Sequence, residues 1–181
     1  MSKYVDYSFN KNHYKVLRKN YLKLILLILG IVFFNNPADA QNISKQSYEA
    51  LTNRVNKHKD TTFLLHFWAT WCKPCVKEIA QFDIIADECK LKKAKVILVC
   101  LDAPDQLENS VAPFLKSKNI VSEVVVLKDT DMNLLVNAIH PDWSGAIPMS
   151  VLIAQKNRKK ILFEGELANS NILDRLKAFC K

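Results

Sequence analysis

The stretch FWATWCKPCVKEIAQF, residues 67–82, decides how the rest of this chain is read. It opens at the end of an apolar run, TFLLHFWA, which has the length and composition of a buried strand. Beyond the second cysteine the period changes to that of a helix, with Cys75, Ile79, Phe82, Ala86 and Cys89 on one stripe. Two thiols therefore stand at a strand-to-helix junction. Three residues apart at a helix start, Cys72 and Cys75 lie on nearly the same side of the helix, close enough to be bridged.

That placement makes the two sulfurs unequal. Cys72 meets the unpaired amides and the positive end of the helix dipole, which stabilise a thiolate, and Lys73 adds a positive charge in the same sense. Pro74 is tolerated because an amide in the first helical turn has no helical acceptor. Cys75, one turn inside, is expected to be shielded and to act second. A C-x-x-C pair is also half of a zinc site, but Cys89, Cys100 and Cys180 stand alone and no close histidine pair follows. A purely structural bridge over so short a ring would add little stability. The redox reading is preferred, with no metal and no organic cofactor.

Working outward, SKQSYEALTNRVNKH places Tyr48, Leu51 and Val55 on one helical face, with Ser44 as the expected cap. KVILVCLD predicts a second strand, PDQLENSVAPFLKSKN a crossover helix, SEVVVLKD a third strand and DMNLLVNAI a short helix. MSVLIAQ and KILFEGEL, joined by the polar KNRK, predict a hairpin, and a last helix is expected from about residue 169 on Ile172, Leu173, Leu176 and Phe179. This order implies an α/β domain, a central mostly parallel sheet with helices on both faces. No internal repeat or linker interrupts residues 41–181, which are expected to form one domain.

Residues 1–40 read differently. Arg18, Lys19 and Lys23 precede eleven apolar residues, 24–34, and NNPADA then offers small residues at Ala38 and Ala40. This is the order of a secretory signal, with cleavage expected after Ala40. As a helix the apolar run reaches about 16 Å, roughly half a bilayer's hydrocarbon core, and an uncleaved anchor is the alternative. The formal charge of +8 owes much to this leader; residues 41–181 hold 20 Lys and Arg against 16 Asp and Glu. The remaining excess is dispersed, so no nucleic-acid partner is expected.

FWATWCKPC, together with GAIPMSVLI some seventy residues later, resembles the thioredoxin superfamily, and within it the exported TlpA/ResA-like thiol-disulfide oxidoreductases. The resemblance runs from about residue 43 onward and implies a thioredoxin-like fold with protein thiols and disulfides as substrates. It implies Cys72 as the attacking thiol, Cys75 as the resolving thiol, and Pro148 as a cis-proline facing them. Ile147 would present its backbone as an edge for an extended substrate segment; Trp71, next to Cys72, is expected to shield the exposed thiol surface and to contact substrate. Glu78 matches a glutamate that ResA-like proteins keep, in reach of exchanging a proton with Cys75. The resemblance also implies a periplasmic reductant fed by a membrane electron donor.

Where thioredoxin has a buried aspartate, this chain has His66, expected to favour thiolate if protonated and so to tune the dithiol. Met149 replaces a frequent threonine, as core filler or as an apolar substrate contact. Trp143 is expected to fold over the active face. His140 leaves open a copper-binding chaperone, and a non-catalytic binding module is the other alternative. Cys89 and Cys180, both expected near the sheet end away from the dithiol, are candidates to pair.

Overall fold

The structure, a computed structural model, describes residues 21, 42–89, 93–129, 131–157, 159–169, 172 and 174. By backbone contacts the chain divides into two units, Met1–Ala40 and Gln41–Lys181, and the fold below is that of the second. The expected signal segment lies outside the described residues apart from Tyr21, as do Leu173, Leu176, Phe179 and Cys180.

Six strands form one sheet in the order β1-β4-β3-β2-β5-β6: β1 Ile43–Gln46, β2 Thr62–Trp68, β3 Ala94–Cys100, β4 Glu123–Leu127, β5 Met149–Ala154 and β6 Lys159–Glu164. The first four are mutually parallel; β5 and β6 join antiparallel, so the sheet is mixed. Helices α1 (Tyr48–Lys57), α2 (Lys73–Cys89), α3 (Ala112–Ser117) and α4 (Met132–Ile139) cover it. Cys75, Ile79, Phe82 and Leu115 belong to the core on the α2 and α3 face, whereas Leu51, Val55, Leu135 and Ile139 fill the other face.

The period of two along the strands decides which residues meet beneath α2. In β2, Phe63, Leu65 and Phe67 face α1 and α4, while Leu64 and Trp68 face α2. His66 therefore shares the α2 face. Its partner across the antiparallel ladder is Ser150, which shares a face with Leu152 on β5.

Three expectations need correction. Ser44 does not cap α1: it lies in β1, paired with Val125, and Ser47 is the cap, its side chain accepting from the Ala50 amide at 3.2 Å. A four-residue edge strand carries too little alternation to be distinguished from a helix lead-in. The crossover predicted as one helix is broken into a 3-10 turn at Pro104–Gln106, a π segment at Leu107–Val111 and then α3. Trp143 is buried rather than folded over the surface: its indole donates to the Ala146 carbonyl at 2.7 Å and its ring tilts against Phe67.

Candidate active site

The C-terminal end of β2 runs into the dithiol. The Leu101 amide bonds the Trp68 carbonyl at 2.8 Å, and the Cys72 amide closes a turn onto Ala69 at 3.1 Å. The Cys72 carbonyl then accepts from Val76 at 3.0 Å, which makes Cys72 the entry residue of α2. The two sulfurs are bonded, with Cα atoms 5.3 Å apart. Cys72 Sγ also takes the Cys75 amide at 3.3 Å, a first-turn N–H that finds no helical carbonyl. Any negative charge on that sulfur is held by this amide and by the helix behind it. Cys72 is 6% exposed and Cys75 fully buried.

Opposite the pair, the Ile147-Pro148 peptide is cis, and the Ile147 carbonyl oxygen stands 3.8 Å from Cys72 Sγ. The loop holding it is fixed from two sides. Glu164 accepts from the Ser144 amide at 3.1 Å and from its hydroxyl, and the Gly165 amide donates to the Pro148 carbonyl at 2.9 Å. Gly145 turns this loop with φ +91, where a side chain would be strained. Trp71 is 67% exposed beside Cys72, and a groove of about 530 Å³ opens between Trp71, Asp102, Met132, Val136, Gly145 and Ile147. A cavity of similar size, 550 Å³, lies towards the other end of β2, by Thr61, Asp87 and Lys95, and contains no candidate site residue.

Glu78 is buried on the same side of α2 as Cys75, one turn on, rather than exposed. Its Oε2 accepts the Leu167 amide at 2.7 Å, while its Oε1 has no hydrogen-bond partner. Burial pushes the carboxyl above its ordinary range and nearby Glu166 adds to this, against the lowering effect of the Leu167 amide. His66 lies 1% exposed, its Nε2 3.8 Å from Glu78 Oε1, its Nδ1 2.9 Å from Ser150 Oγ and its ring stacked on Phe82. Burial lowers the imidazole to about 3, so at neutral pH it is uncharged and the cationic tuning expected for it does not operate. Lys73 is exposed and Pro74 half-buried in the first turn of α2.

Asp102, Thr70 and Ser150 escaped the sequence reading. Asp102 is buried and accepts from the Thr70 amide at 2.8 Å, from the Thr70 hydroxyl and from the Cys100 thiol at 3.1 Å. It thereby pins the loop leading to Cys72, and its signal was an acid directly after an apolar strand, where sheets of this class gather ligands. Burial and the adjacent Asp102 keep Cys100 protonated, as the expected buried thiol. Met149 is wholly buried in the core on the α1 and α4 face. His140 accepts from the Asp142 amide at 3.2 Å, and among the described residues no three metal-ligating side chains cluster. Cys89 is buried and disulfide-bonded; Cys180, its expected partner, is outside the described residues.

A mixed sheet with a helix-entry dithiol opposite a cis-proline defines a thioredoxin-fold thiol-disulfide oxidoreductase. The chain belongs to the AhpC/TSA family, which matches residues 37–159. It is 30% identical over 128 residues to the thiol-disulfide oxidoreductase ResA of Bacillus cereus, covering 70% of this chain and 69% of that one. The sporulation thiol-disulfide oxidoreductase A of Bacillus subtilis is 25% identical over 119 residues, covering 61% of this chain and 72% of the relative. Among solved structures, a thioredoxin-related protein from Neisseria meningitidis serogroup B superposes with a TM-score of 0.55 at 24% identity. That likeness covers 74% of this chain and 90% of the other, and bears on the fold. The chain is thus an enzyme of thiol-disulfide exchange, and its family implies protein thiols and disulfides as substrates.

Proposed function

We propose that this enzyme is an exported reductase of protein disulfides, periplasmic, with residues 1–40 as its signal segment or anchor and residues 41–181 as its catalytic domain. The observation that carries the catalytic assignment is the position of Cys72 Sγ, on the Cys75 amide and 3.8 Å from the Ile147 carbonyl. A thiolate there is electrostatically supported and faces the edge along which an extended peptide would lie.

In the reducing direction the Cys72 thiolate attacks one sulfur of a substrate disulfide and expels the other as a thiolate. Cys75 then passes its proton to the Glu78 carboxylate and attacks Cys72 Sγ. The second substrate sulfur leaves, and the enzyme retains a disulfide. Two electrons have moved to the substrate, and a membrane dithiol donor restores the starting state. Burial raises the proton affinity of this carboxyl, which supports its taking the Cys75 proton. Trp71, Ile147 and Pro148 contact substrate, while Lys73, Pro74 and His66 shape the thiolate's surroundings.

Reduction of insulin disulfides by the dithiol form tests the reading. The wild type should precipitate the insulin B chain, and Cys72→Ser should abolish this. Undiminished reduction by Cys72→Ser would reject the assignment, and a reduction potential near those of strong oxidants would reject the reductase direction.

A further inference from the structure

We propose that His66 is a positioning residue whose Nε2 accepts a hydrogen bond from the protonated Glu78 carboxyl, so that His66, Glu78 and Ser150 form one proton-holding unit beneath the dithiol. This deepens the function above and rests on its assignment of Glu78 as the acceptor of the Cys75 proton.

With Glu78 protonated, the geometry favours one set of proton positions. Glu78 Oε2 already accepts the Leu167 amide, so a proton on the carboxyl belongs on Oε1. Oε1 and His66 Nε2 are both buried, both lack another hydrogen-bond partner, and face each other across 3.8 Å. An O–H on Oε1 needs an acceptor, and the atom in front of it is Nε2, which a small side-chain shift brings from 3.8 Å to hydrogen-bond distance. Nε2 must then carry a lone pair, which places the ring proton of neutral His66 on Nδ1, donated to Ser150 Oγ at 2.9 Å. The Phe82 ring, with centroid 3.8 Å from that of His66, fixes the imidazole plane. Burial favours the uncharged form of both groups, in agreement with this arrangement.

The consequence for the reaction is direct. When Cys75 gives up its proton, Glu78 changes from carboxylate to acid and the new O–H is stabilised by Nε2. The imidazole stays neutral throughout. Among the described residues Glu166 also acts on Glu78, raising its proton affinity in the same sense; α2 contributes Cys75, the strands contribute His66 and Ser150, and the segment after β6 contributes the Leu167 amide.

The test is a pH titration of the full chain in its disulfide form, with nitrogen-15 histidine and carbon-13 glutamate labels read by NMR. His66 is expected as the Nδ1–H tautomer, its Nε2 resonance stepping at the pH where the Glu78 carboxyl titrates. Glu78→Gln should erase that step. His66→Phe keeps the stack on Phe82 but removes the acceptor, and should lower the Glu78 midpoint by about one pH unit or more. Ser150→Ala leaves the ring in place, and should release the tautomer and move the Glu78 midpoint the same way. A proton fixed on Nε2, an ordinary histidine titration near 6.5, or a Glu78 midpoint unchanged in both His66→Phe and Ser150→Ala would overturn the proposal. The readout needs no substrate, so it fails separately from the insulin assay.

Discussion

Asp102 illustrates how one side chain off the reaction path sets the geometry on it. Its carboxylate takes two donors from Thr70 and one from Cys100, and Thr70 is two residues before the attacking thiol. Asp102→Ala leaves a backbone amide and a buried thiol without their acceptor. Losing hydrogen bonds to a charged group costs about 2–3 kcal/mol here, read as a lowered denaturant midpoint. The exchange rate should fall as well, because the loop carrying Cys72 loses its anchor. Trp71 is the opposite case, being 67% exposed. Trp71→Ala should raise KM for a protein disulfide several-fold and leave stability unchanged, as measured by steady-state reduction and thermal melting.

At the scale of elements, α2 joins catalysis to core. One stripe carries Cys75, Glu78, Ile79, Phe82, Ile85 and Cys89 inward, so the helix that presents the dithiol is held by the same residues that bury the sheet. Phe82→Ala should cost about 3–5 kcal/mol by leaving a cavity, and should also free the His66 ring that stacks on it. Unfolding in denaturant measures the first effect and the histidine NMR signal the second. Much of this helix was legible in sequence, because a long apolar period and a C-x-x-C at its start agree with each other. Glu78 could be placed on its face by counting. What lies under it could not: His66 and Ser150 are polar residues inside apolar strands, and only the antiparallel register of β2 on β5 sets them side by side. β1 was lost for the same reason, since a short edge strand is defined by its neighbour β4 and not by its own pattern.

For the molecule as a whole, the two buried acid–base groups give stability opposite dependences on pH. His66 is lowered to about 3 from an ordinary 6.5, so the unfolded chain binds a proton that the folded chain refuses. Its contribution is complete above pH 6.5 and is lost as pH falls towards 3. Glu78 is raised, so its contribution is present below its ordinary value of 4.5 and is lost as pH rises towards its folded value. The two act in opposite senses above pH 4.5, and below that His66 acts alone. The stability difference between wild type and His66→Phe should therefore shrink from pH 4.5 to 3, at up to about 1.4 kcal/mol per pH unit. Urea unfolding at a series of pH values measures it, and a difference independent of pH would remove this account of His66.

The central claim is that Cys72 is the atom that meets substrate and Cys75 the atom that releases it. Trapping tests this most directly. Cys75→Ala, incubated with a disulfide-bonded protein and digested without reduction, should accumulate a mixed disulfide whose peptide map places the substrate on Cys72. Substrate attached to Cys100, or to no cysteine at all, would contradict the account.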